Sequence, residues 1–152
     1  IYRARPEVNA VVHSHSPAVV PFGVSSVPLR PLYHMSGFLA EGIPIFEIRD
    51  TAGMTDLLVR DAPLGRALAK SLGEKTVALM RGHGNVVVGP TIPLAVYRAV
   101  YTEVNARLQA TAIGLGGSVT YLEPEEGRLA AVNIAGTINR PWELWRKKAL
   151  GK

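Results

Sequence analysis

Two of the four histidines in this 152-residue chain stand two apart, as His13-Ser14-His15, at the end of the apolar run Asn9-Ala10-Val11-Val12. Side chains alternate faces along a strand, so two imidazoles at i and i+2 can close on one ion at roughly 2.0–2.1 Å. A third, His83, lies in Arg81-Gly82-His83-Gly84-Asn85, directly after the apolar run Val77-Ala78-Leu79-Met80. Its flanking glycines let the backbone turn sharply and leave room beside the ring. A lone histidine on an apolar segment is usually a structural group. Three protein ligands with one position left for water or substrate are the pattern of a catalytic metal. The chain has no cysteine, so thiolate sites and disulfides are excluded and any metal must use imidazole, carboxylate or water. Imidazoles suit zinc, and manganese, iron or cobalt where an oxygen ligand completes the shell.

The elements that must position these groups alternate. Enrichment in β-branched residues between Gly or Pro predicts strands at Ala10–His15, Pro44–Ile48, Val77–Arg81, Val86–Val88 and Ser118–Leu122. Ser16-Pro17 reads as a helix start. So does Asp61-Ala62-Pro63 ahead of Leu64–Lys70, a helix that Gly73 ends. The longest helix is expected from Ile92 to Ile113, opened by Thr91. Its apolar residues cover more than one stripe, which suggests burial against the sheet and against a second surface such as a partner subunit. Further helices are expected over Ala130–Asn139 and from Pro141, the latter carrying Trp142 and Trp145 on one face as a core or subunit contact. The mixture implies an α/β sandwich with helices covering a central sheet.

Composition narrows the function. The net charge of +5 comes from 17 basic residues scattered along the chain, and the one dense run, Arg146-Lys147-Lys148, reads as a solvated tail. Nucleic-acid binding is disfavoured and an anionic small-molecule substrate fits. No apolar run has the length of a membrane span and no signal-peptide pattern opens the chain, so a cytoplasmic protein is expected. The chain opens on Ile1 without an initiator Met. It is read as one domain over residues 1–152, lacking its N-terminal part.

In order, Asn9–Pro17, Leu79–Gly89 and the long helix after Thr91 resemble the class II aldolase/adducin family over roughly Glu7–Leu122. The resemblance implies a three-layer α/β/α sandwich with a mainly antiparallel central sheet. It implies homotetramers with sites near subunit interfaces, and a divalent cation, zinc or manganese, on His13, His15 and His83. The family's acid/base Glu and its phosphate-binding loops would lie upstream of Ile1.

The stretch Val27–Leu39 is similar to the branch that decarboxylates hydroxypyridine-dicarboxylates and dihydroxyphthalates. Aldolases of the family carry a catalytic Tyr about twenty residues past the second histidine, where this chain has Tyr33 and His34. Those two are the candidate proton donors. Arg30 and Arg49 are candidates for substrate carboxylates, ahead of Arg81, because a planar guanidinium matches a carboxylate. Glu47 and Asp50 are candidates to orient a ligand imidazole. The expected function is a metal-dependent carbon–carbon lyase, a decarboxylase of a hydroxylated aromatic or heteroaromatic dicarboxylate. The alternatives are an aldolase or epimerase acting on a sugar phosphate such as fuculose or ribulose phosphate, and a non-catalytic adducin-like interaction domain.

Overall fold

Val11-Val12 and Val86-Val87-Val88 lie in strands, where a branched Cβ packs well on a pleated surface. The computed structural model describes residues 1–151, with strands β1 (Ala10–Ser14), β2 (Ile45–Phe46), β3 (Val77–Met80) and β4 (Gly84–Gly89) in the order β1-β4-β3-β2. β1 and β3 both run antiparallel to β4, whereas β2 runs parallel to β3. The sheet is therefore mixed, where a mainly antiparallel one is expected. The cause lies between Phe46 and Val77: the chain passes through α1 (Arg49–Ala52) and α2 (Ala62–Leu72), and a strand–helix–strand crossover returns the chain in its original direction.

β3 and β4 are buried along their whole length, which explains their unbroken apolar runs. Val77, Leu79 and Val87 face one core with Phe38 and Tyr97, and Ala78, Met80, Val86 and Val88 face another with Leu64, Leu68 and Leu72 of α2. The Asp61 carboxylate accepts from Leu64 N–H at 2.9 Å to start α2, and Gly73 with φ of 54° ends it.

Helix α3 (Ile92–Gly114) is capped by Thr91, as expected, but its buried face holds the polar residues Thr102, Asn105 and Gln109 as well as apolar ones. Asn105 and Gln109 grip segment 28–36, while Thr102 donates to the Arg98 carbonyl of its own helix. Asn105 Oδ1 accepts from Leu32 N–H (2.9 Å) and Ser36 Oγ–H (2.7 Å), and its amide donates to the Arg30 carbonyl (2.8 Å). Gln109 accepts from Arg30 N–H (2.9 Å) and donates to the Pro28 carbonyl (2.8 Å).

Several expected elements shift. Ser118–Leu122 forms no strand; Leu122 N–H donates to the Pro31 carbonyl, but Pro28 and Pro31 offer no N–H with which to build a ladder. After Ser16-Pro17 there is only a 3-10 turn at Val20–Gly23, since Pro21 cannot donate to a longer helix. The Pro44–Ile48 strand shortens to Ile45–Phe46. The expected 130–139 helix is α4 (Pro124–Ala135), where Pro124 occupies the first turn and the Glu126 carboxylate accepts from Glu123 N–H at 2.9 Å. The last helix, α5 (Asn139–Ala149), starts ahead of Pro141 and stacks Trp145 near Tyr97 and Tyr101, with ring centroids 6.5 and 6.3 Å apart. Among the described residues no helix is long and apolar enough to cross a membrane.

Candidate metal centre

His13 sits near the end of β1 and His15 just beyond it, so the alternation of a strand brings both rings to one side. His83 arrives from the β3–β4 turn. Antiparallel pairing sets His13 opposite Val86 and Ser14 opposite Asn85, which lays that turn beside the end of β1. Gly82 makes the turn at φ of 66°, and a side chain on Gly84 would collide with the Ser14 carbonyl.

The three rings converge. Nε2 of His15 lies 3.1 Å from Nε2 of His13 and 3.0 Å from Nε2 of His83, and every pair of ring centroids is 4.9 Å apart. The outer nitrogens explain the convergence. His13 Nδ1 is 3.0 Å from the Asn85 carbonyl and His83 Nδ1 is 2.9 Å from the Leu57 carbonyl. A carbonyl only accepts, so each Nδ1 carries the proton and each Nε2 turns a lone pair toward the common point. Lone pairs this close repel unless a cation or proton lies among them. Two nitrogens bonded at about 2.0–2.1 Å to one ion stand roughly 2.9–3.4 Å apart for angles between about 90° and 109°, so the donor set fits a metal. Burial, and secondarily the neighbouring imidazoles, lower the His13 pKa against the pull of the Asn85 carbonyl, which favours the neutral ring a metal ligand needs.

The cluster opens on a cavity of about 620 Å³ on the α2 face of the sheet. Its walls are largely apolar, with Val11, Leu58, Val59, Leu68, Met80 and Val86 among them, and Arg60 is the one cation of the lining. The Arg60 guanidinium pairs with Asp56 in an exposed ion pair.

The profile of the "Class II Aldolase and Adducin N-terminal domain" matches residues 1–110. The chain belongs to the class II aldolase and adducin family. It is 37% identical to the decarboxylase tropJ of Talaromyces stipitatus, over 95% of this chain and 62% of that protein. A 3,4-dihydroxyphthalate decarboxylase of Terrabacter sp. is 30% identical over 96% of this chain and 59% of its own length. The chain thus spans about three fifths of these curated relatives. An aldolase II superfamily protein from Pseudomonas syringae shares the fold, with a TM-score of 0.73 at 19% identity over 97% of this chain and 59% of that one.

The remaining expected site residues lie elsewhere. His34 is exposed at the start of a 3-10 segment, His34–Leu39, and Tyr33 beside it has a buried hydroxyl without a hydrogen-bond partner. Burial, with a smaller contribution from Tyr101, pushes the Tyr33 phenol up to about 12. Neither lines the histidine cavity. Arg30 stacks over the Tyr121 ring at 4.2 Å. Arg49 and Arg81 share the Glu47 carboxylate at 2.6 and 2.5 Å, and Arg49, first among these partners, holds that carboxyl down at about 2. Glu47 and Asp50 bond no histidine; backbone carbonyls of Asn85 and Leu57 do that work instead. Sequence reading also missed Arg60 and Leu57. The irregular stretch before Asp61 carries no periodic signal, and the only pointer was its position just ahead of a capped helix.

Proposed function

We propose that the chain forms the metal-binding part of a divalent-cation-dependent lyase that decarboxylates a hydroxylated aromatic or heteroaromatic acid. The observation that carries this is the convergence of three imidazole Nε2 atoms at the edge of a largely apolar cavity. When bound, zinc or manganese supplies the Lewis acid that makes the electrons left by carbon–carbon cleavage tolerable on oxygen. Three neutral donors add no negative charge, so the site favours an oxyanion such as a phenolate or carboxylate. The apolar walls receive the ring. Arg60 fits a second carboxylate, exchanging an exposed pairing with Asp56 that contributes little. The named decarboxylases among the relatives support the same reaction class.

Protonation of the carbon after cleavage falls to His34, with Tyr33 beside it. At about 12 the Tyr33 phenol stays protonated through the working pH range, so it is a donor and not a base. Because both lie outside this chain's cavity, they reach a site only from another copy, which supports a homo-oligomer, read as a tetramer, with sites at subunit interfaces. Arg30 and Arg49 contribute to a site on the same terms. The two helix-covered sheet faces are read as the three-layer α/β/α sandwich of the family.

The test is metal analysis followed by product analysis. Zinc- or manganese-loaded protein is expected to release carbon dioxide from hydroxy-aromatic dicarboxylates without forming an aldehyde. Aldehyde from a ketose phosphate would move the reading to aldolase, and protein that takes up no divalent metal would move it to an adducin-like module. Arg60→Gln is expected to raise KM for a dicarboxylate roughly tenfold to a hundredfold, with little change for the matching monocarboxylate.

A further inference from the structure

Among the described residues, Leu57 is the one non-glycine with a positive φ, 68°. In that left-handed region Cβ crowds the following carbonyl, so a leucine stays there only when its surroundings over-determine the backbone. Three hydrogen bonds do so. Leu57 N–H donates to Thr55 Oγ1 at 3.0 Å, Leu58 N–H donates to Asp56 Oδ1 at 3.3 Å, and the Leu57 carbonyl accepts from His83 Nδ1–H at 2.9 Å. Across from it stands Gly82, also left-handed at 66°, where an added Cβ would come to 3.4 Å from Leu57 Cδ1. Two left-handed turns therefore meet at the His83 ring.

The two oriented imidazoles differ in what aims their partners. The Asn85 carbonyl that holds His13 belongs to β4, whose ladder bonds already fix it. The Leu57 carbonyl belongs to an irregular segment, so its direction depends on its own φ and ψ. Leu58, Val59 and Arg60 follow directly and line the cavity, so the same turn also sets that wall against the ligand cluster.

We infer that Leu57 is a positioning residue: its left-handed backbone aims the carbonyl at His83 Nδ1 and holds that imidazole with Nε2 free to ligate. The inference rests on reading the three histidines as a metal site. Carbonyl and carboxylate partners of ligand histidines typically govern 10- to 100-fold in metal affinity.

The experiment measures zinc and cobalt affinity by competition with a chelating dye, together with the cobalt absorption spectrum. It compares wild type with Leu57→Gly, Leu57→Asn, Leu57→Val and Leu57→Pro, each checked for folding by circular dichroism. Gly and Asn adopt the left-handed region readily, and both are expected to bind within about threefold of wild type. Val resists that region and Pro fixes φ near −65°, so both are expected to bind about 10- to 100-fold more weakly with an altered cobalt spectrum. Val also keeps the test decisive if the Pro variant does not fold. A packing role gives the reverse order, with Gly, which deletes the whole side chain, weakest and Val near wild type. That order, or equal affinity throughout, overturns the inference. Wild-type protein that binds no metal overturns the metal reading first, and this inference with it.

Discussion

The histidine cluster, on a strand end and a hairpin turn, and the Tyr33–His34 segment, in an irregular stretch, are both pinned by distant residues, yet they stand differently toward function. At the cluster, a strand end, a tight turn and two backbone carbonyls bring three imidazole nitrogens together within one chain. At the segment, Asn105 and Gln109 of α3 hold the backbone firmly, but the side chains of Arg30, Tyr33 and His34 do not line the histidine cavity. A metal site can be completed by neighbouring strands. On the proposed function, these side chains serve the cluster of another copy.

Substitutions separate the two regions. The largest effect is expected from His83→Ala: metal affinity, read by dye competition, should fall roughly 1000-fold and turnover should fall to background. His34→Gln comes next, with decarboxylation slowed about 100-fold and metal affinity unchanged. If turnover survives that change, the second region is a packing element only and the comparison collapses. Asn105→Ala acts on stability. It strands the Leu32 N–H and the Arg30 carbonyl and leaves the Ser36 hydroxyl with only the Tyr33 carbonyl as acceptor, so urea denaturation should show a loss of about 2 kcal/mol with metal binding intact.

The smallest effect concerns Glu47, which ties Arg81, at the edge of the His83 turn, to Arg49. Its folded pKa of about 2 lies below the ordinary carboxylate value of 4.5, so its contribution is fully present above about pH 4.5. It is lost as pH falls toward 2. Urea midpoints measured against pH should therefore drop less steeply below about pH 4.5 for Glu47→Gln than for wild type.

Much of this was legible beforehand because the rules involved are local. Asp61 and Thr91 cap the helices they were expected to open, and Gly73 ends α2, since caps and stops act within one turn. Both valine runs became strands, Val86–Val88 buried and Val11-Val12 half-buried. The strand expected at Ser118–Leu122 failed for a reason outside its own residues, because the stretch it meets is interrupted by prolines. The mixed sheet likewise follows from the crossover between β2 and β3, which strand composition alone does not reveal.

The available chemistry is written in the residue order: an i, i+2 imidazole pair, a third imidazole between glycines, and no thiolate to compete with them. Those are matters of residue type and short spacing. Tertiary structure alone decided that His83 meets a pair 68 residues away, because strand order sets which turn lies beside the end of β1. It set the Leu57 carbonyl against His83 and put Arg60 in the cavity wall, both on a stretch with no periodicity, while Arg30, Tyr33, His34 and Arg49 do not line that cavity. Long-range pairing is fixed by the packing of whole faces, and no local pattern carries that information.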